Sequence, residues 1–114
     1  MSHPIPPADE NAPPKLPDLN QATLDWPGVE ALLRDIAACT QVTEIIPKAL
    51  AQGYVTDGVA LTLADARRLL EERAVRGLQV RYRYDGADWW DTLMVLPEGW
   101  RLVRIRHDFS AAPN

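Results

Sequence analysis

"QVRYRYDGADWWDTLMVLPEGWRLVRIRHDF", residues 79–109, decides the fold. Three of the four tryptophans lie in it, and seven arginines lie in it or just before it. Two signals punctuate the stretch. Asp85-Gly86 reads as a tight turn, and Pro97-Glu98-Gly99 as a second, with glycine where a positive φ is wanted. Between and around them, Leu78 to Tyr84, Trp89 to Leu96 and Trp100 to His107 read as strands, the first in strict alternation. Connections this short force neighbours to run antiparallel, so the stretch predicts a three-stranded meander.

Alternation then assigns faces. Val80, Tyr82 and Tyr84 share one side of the first strand, and Arg81 and Arg83 the other. In the third strand Val103 and Ile105 oppose Leu102, Arg104 and Arg106. Burying the β-branched side puts Val80, Tyr82, Val103 and Ile105 under the helices and gathers Arg81, Arg83, Arg104 and Arg106 outside. The central strand is placed with Trp90, Thr92, Met94 and Leu96 inward. This leaves Trp89, Asp91, Leu93 and Val95 outward and spares an isolated carboxylate the cost of burial. The expected open face therefore holds Arg81, Arg83, Trp89, Asp91, Arg104 and Arg106. It has two readings. The charges can solvate the sheet and pair across strands at a few tenths to about 1 kcal/mol each. Or the arginine forks, beside tryptophan, can receive a carboxylate or phosphate of a partner.

Upstream, "DWPGVEALLRDIAACT" predicts a helix starting near Pro27, with Val29, Leu32, Leu33, Ile36 and Ala37 on one stripe. "TLADARRLLEERAVRG" predicts a second, with Thr62 and Asp65 at capping-box spacing, Leu63, Ala66, Leu69, Leu70 and Ala74 inward, and Gly77 as its stop. Between them, "TQVTEIIPKALAQG" favours a short helix over 44–52, capped by Thr43 and stopped by Gly53. The rival is a strand from Val42 to Ile46 ended by Pro47. Asp57-Gly58 signals a further turn or short hairpin. Residues 1–24 hold six of the ten prolines and few large apolar side chains. That composition predicts a disordered tail, with Leu24 among the residues able to pack on the domain. Residues 25–109 form the domain and 110–114 a frayed end. The expected fold is thus α+β: two to three helices on one face of a three-stranded antiparallel β-meander.

Charge is uneven along the chain. Residues 73–107 carry seven arginines against four acids, residues 1–72 five basic residues against eleven acids, and the whole chain is −4. That balance disfavours nucleic acid as a partner. Cys39 is the only cysteine, so no intrachain disulfide forms. With no apolar leader and no membrane-length run, this predicts a cytoplasmic protein, and arginine over lysine with many alanines suggests a bacterial one. Catalytic groups do not converge. Cys39 has no histidine near it in sequence, His107-Asp108 reads as a solvated strand end, no His/Cys/carboxylate spacing suits a metal, and the glycines form no phosphate loop. No cofactor is expected.

The "EGWRLVRI" strand and the "WWDTLMVLPEG" hairpin before it resemble the final hairpin of NTF2-like or SnoaL-like cone proteins. That resemblance implies a pocket between helices and sheet, walled by Trp90, Met94 and Tyr82, that binds or transforms a small apolar ligand. The residues themselves point instead to a non-enzymatic accessory or adaptor protein. Its arginine- and tryptophan-bearing sheet face would bind a protein partner or a second copy of the chain.

Overall fold

The structure, a computed structural model, describes residues 20–50 and 60–107. Its elements run β1 (Gln21–Leu24), α1 (Trp26–Cys39), β2 (Gln41–Leu50), α2 (Leu63–Glu71), β3 (Val75–Tyr84), β4 (Ala87–Leu96) and β5 (Gly99–His107). The five strands form one antiparallel sheet in the order β1-β5-β4-β3-β2. The expected three-stranded meander is therefore only the centre of a wider sheet, and two helices accompany it.

Both added strands come from segments read otherwise. Gln21–Leu24, the end of the stretch assigned to the tail, pairs with Trp100–Val103 of β5, and Leu24 packs against the core. Residues 41–50 extend as a strand through Pro47, in place of the helix expected over 44–52. The rival strand reading is correct in kind, but Pro47 does not end it. β2 is an edge strand, and an edge strand tolerates a proline whose missing donor lies on the unpaired side. Ile45, buried, and Val42, half-buried, turn β2 toward the core, facing Val80 and Tyr82. The same edge carries a bulge at Thr43, whose hydroxyl donates to the Arg81 carbonyl at 3.1 Å, and a left-handed Ala49 with φ 53°. Bulge, proline and twist together make a poor template for another strand. The proposed stop at Gly53 and the Asp57-Gly58 turn lie outside the described residues.

The helices follow their sequence signals closely at their starts. Asp25 caps α1 by accepting from the Gly28 amide at 2.9 Å, and Val29, Leu33 and Ile36 are buried. Ala37, placed on that stripe, is exposed. In α2, Thr62 and Asp65 form a reciprocal capping box, and the Thr62 amide holds the Asp65 carboxyl below its usual pKa. The end of α2 is a correction. Helix stops at Glu71, not Gly77, through a Schellman motif in which Arg73 takes the left-handed position at φ 54°. The Arg73 amide donates to the Leu70 carbonyl (3.2 Å) and the Ala74 amide to the Leu69 carbonyl (2.9 Å). Arg73 tolerates this backbone because its side chain has work at the same place: it donates to the Leu96 carbonyl and lies 4.4 Å from the Trp100 ring. Gly77 instead sits inside β3 opposite Met94, where a Cβ would come within 2.8 Å of the Met94 Sδ.

Both helices cover the same side of the sheet. Their buried residues meet Leu78, Val80, Tyr82, Trp89, Leu93, Trp100 and Leu102 in one cluster. The Trp100 indole N–H donates to the Leu70 carbonyl at 3.2 Å and its ring meets Trp26 at 5.1 Å, which fixes the helix layer to β5. The opposite side of the sheet has no helix on it among the described residues.

Candidate functional site: the two faces of the sheet

Register settles which side chains face which way. Asp85 and Gly86, both with positive φ (54° and 77°), make the two-residue turn that pairs Tyr84 with Ala87. Counting back from there places Val80 opposite Asp91. The Pro97-Glu98 turn pairs Leu96 with Gly99 and therefore Asp91 with Arg104. Directly opposed residues share a face, so Val80, Asp91 and Arg104 lie on one side, and that side is the helix-covered one.

This reverses the orientation expected for the central strand. Trp89, Asp91, Leu93 and Val95 face the helices, while Trp90, Thr92 and Met94 face outward. In β5 the inward set is Trp100, Leu102 and Arg104, so Val103 and Ile105 are on the open face. The cost of burying Asp91 is met by a partner. Arg104 grips it with two hydrogen bonds, Nε to Oδ1 at 2.9 Å and Nη2 to Oδ2 at 2.8 Å. The residues are 0% and 3% exposed. Their neighbours are Val80, Tyr82 and Trp89. Burial, reinforced by the Asp91 charge, pushes the Tyr82 hydroxyl well above the ordinary tyrosine range. That hydroxyl finds no hydrogen-bond partner of normal geometry, although Asp91 and Arg104 are close enough to act on its ionisation.

The six residues expected on one surface are therefore divided. Arg81 and Arg83 are on the open face, and Trp89, Asp91, Arg104 and Arg106 are on the other. Asp91 and Arg104 are sealed, Trp89 is buried, and Arg106 is exposed with its guanidinium 5.7 Å from the Trp89 ring. The pocket implied by the cone resemblance meets the same obstacle. Tyr82 lies under the helices while Trp90 and Met94 lie on the far side of the sheet, so the three cannot wall one cavity. Two hollows of about 280 and 270 Å³ lie elsewhere, one beside Val42, Ile45, Pro47 and Leu61, the other between the helices at Leu33, Arg34, Leu63 and Arg67.

What the open face does bring together is a group the sequence reading did not assemble. The Arg81 guanidinium stacks 3.9 Å from the centre of the Trp90 ring, its cross-strand partner. Arg81 Nε donates to Gln79 Oε1 at 2.8 Å, and Gln79 Nε2 donates to Thr92 Oγ1 at 2.9 Å. His107 lies 4.0 Å from the same Trp90 ring. Ile105, opposite Trp90, is 49% exposed, and Met94, four residues along β4, is 37% exposed. Arg83 pairs with its cross-strand partner Asp88 at 3.0 Å. Counting outward from the two turns would have found this group.

Among the described residues no cluster of three or more His, Cys, Asp or Glu side chains could hold a metal, and no helix is long and apolar enough to cross a membrane. Cys39 is half-buried at the end of α1. Comparison with known proteins gives no match to a family model, a curated protein or a solved structure.

Proposed function

We propose that this chain is an accessory protein that docks a protein partner on the open face of its sheet, around Trp90. One observation carries the reading. The only exposed large hydrophobic side chains among the described residues, Met94 and Ile105, are both on this face. Ile105 lies directly opposite Trp90, and Met94 lies four residues further along β4, a strip about 13 Å long. Apolar side chains and an aromatic–arginine pair, rimmed by charge, are what a partner surface uses for its anchors. The guarded β2 edge supports the same reading, because it removes that edge from strand-to-strand association.

The test is affinity capture from the source organism with the wild-type chain, the variant Met94→Glu/Ile105→Glu, and a control variant on the helix layer, Arg34→Glu. Circular dichroism checks that all three are folded. A protein retained by wild type and control, lost with the double variant, and binding again when both components are purified supports the reading. Equal retention by the double variant overturns it. Light scattering on the purified chain distinguishes a second copy as the occupant.

A further inference from the structure

We infer that the partner of this face presents a carboxylate, and that Arg81, stacked on Trp90, is the group that receives it. The inference rests on the docking reading above and adds the chemistry of the ligand: an acidic protein segment with apolar side chains beside its acid.

Arg81 is set in place before any ligand arrives. Its Nε is held by Gln79, Gln79 is held by Thr92 and is 9% exposed, and the guanidinium carbon sits 3.9 Å from the centre of the Trp90 ring. A guanidinium fixed this way has little motion left to lose on binding. Its hydrogen-bonding capacity is largely unspent. Neither Nη makes a hydrogen bond among the described residues, and the nearest carboxylate oxygen, Oε1 of Glu44, is 3.6 Å from Nη1. That is beyond hydrogen-bond range, and the Glu44 side chain is 59% exposed. The outer edge of the fork, with 31% of the side chain exposed, has the geometry that a carboxylate accepts in pairs. Ile105 and Met94 lie within the same strip to take the apolar side chains of the same ligand.

Charge chooses among occupants. The chain is −4 overall, yet the open face carries Lys48, Arg81, Arg83 and Arg101 against Glu44 and Asp88. A second copy would bring the same positive excess, so two open faces repel. Nucleic acid needs a longer run of cations than this face holds, and the rest of the chain is acidic. An acidic protein segment complements both the charge and the apolar strip.

The experiment titrates the full, isotope-labelled chain with three probes: the peptide acetyl-Glu-Leu-Glu-Leu-Glu-amide, its glutamine counterpart, and an eight-nucleotide oligothymidylate. The Arg81 Nε–H and Trp90 Nε1–H resonances are followed. The glutamate peptide is expected to shift both saturably and to weaken as salt rises, with the glutamine peptide at least about tenfold weaker. Arg81→Gln and Arg81→Lys both lose about tenfold or more, the second because lysine keeps the charge but not the fork. Glu44→Gln tightens binding by about threefold by removing a weak competitor. If the glutamine peptide binds as well as the glutamate peptide, the carboxylate assignment falls and the docking reading stands. If only the oligothymidylate shifts Arg81, the face reads phosphate and the assignment again falls. If the capture experiment yields a partner that needs Ile105 while no peptide moves Arg81, the assignment falls alone. If neither experiment gives a response, both readings fall.

Discussion

Two arginines in this sheet do opposite things with the same side chain. Arg104 lies under the helices with its fork closed on Asp91, sealed from water. Arg81 lies on the open face with its Nε tied down, its guanidinium over the Trp90 ring and its Nη1 only loosely paired, at 3.6 Å, with the exposed Glu44. Both sit on interior strands, one on each side of β4. What separates them is which face the register assigns, and hence whether a helix layer covers them. A guanidinium under the layer must have its counter-charge inside the protein, because a lone buried charge is too costly. A guanidinium outside the layer can be positioned and still left available. The covered pair specifies the fold, and the uncovered stack is free to specify a ligand.

The largest effect that would test this contrast is on stability. Arg104→Met leaves Asp91 charged, buried and unpartnered, and should cost about 3–5 kcal/mol in urea unfolding, as should Asp91→Ala. The double variant Asp91→Leu/Arg104→Met removes both charges and should recover much of that loss. Additive losses in the double variant would mean that the two residues act separately, and the account of the covered face would fail.

Next in size is a pH effect from Tyr82 beside the pair. Its hydroxyl titrates far higher in the folded chain than in the unfolded one, where about 10 is usual. The unfolded state therefore releases its proton first. Stability from this group is complete below about pH 10 and declines above it, with a slope approaching about 1.4 kcal/mol per pH unit. Tyr82→Phe should flatten that decline relative to wild type. At neutral pH it should leave stability unchanged or raise it by up to about 1 kcal/mol, since the buried hydroxyl has no partner of normal geometry. Thermal melts from pH 8 to 11 give the slope. Parallel wild-type and variant curves would place the hydroxyl in water instead.

A third variant weighs the seam between added and expected strands. Gly99 opens β5 at φ 142°, and a Cβ there would meet the Leu24 carbonyl oxygen at 2.9 Å. Gly99→Ala should cost about 1–3 kcal/mol through backbone strain and a loosened β1. An unchanged melting temperature would show that β1 contributes little to holding the sheet.

The sequence carried the meander, both helix starts and the capping box, because those signals are local: two-residue turns, a 3.6 period, and Thr62 three residues before Asp65. The edges were harder. Residues 41–50 hold a Pro that suits a helix's first turn and also an edge strand, and only the neighbour β3 decides between them. Gln21–Leu24 is short and only half apolar, and its pairing lies about eighty residues away. The face assignment failed for a different reason. Each side of β5 carries two large apolar residues, Trp100 and Leu102 or Val103 and Ile105, so hydrophobicity alone does not choose. The two turns do choose. Counted outward from Asp85-Gly86 and Pro97-Glu98, they put Val80, Asp91 and Arg104 in one row, which names the buried pair and, by exclusion, the Arg81–Trp90–Ile105 row on the other side. A rule that keeps acids off the covered face fails here because the partner of Asp91, Arg104, lies in the same row.

The smallest expected effect is the most informative about the open face. Ile105→Thr and Arg81→Gln each remove something the proposed ligand would use, yet neither leaves a buried charge or a core cavity. Ile105 is half exposed, and Arg81 gives up one hydrogen bond to Gln79 and its stack on Trp90. Ile105→Thr should unfold within about 0.5–1 kcal/mol of wild type, and Arg81→Gln, which also leaves the buried Gln79 carbonyl oxygen without its donor, should lose about 1–2 kcal/mol. A face that only solvates the sheet would show the same small stability changes with binding unaffected. Binding loss of tenfold or more without a matching stability loss separates a ligand site from a solvated sheet. A stability loss of the size expected at Arg104 would instead make Arg81 a second structural arginine, and the contrast between the two faces would disappear.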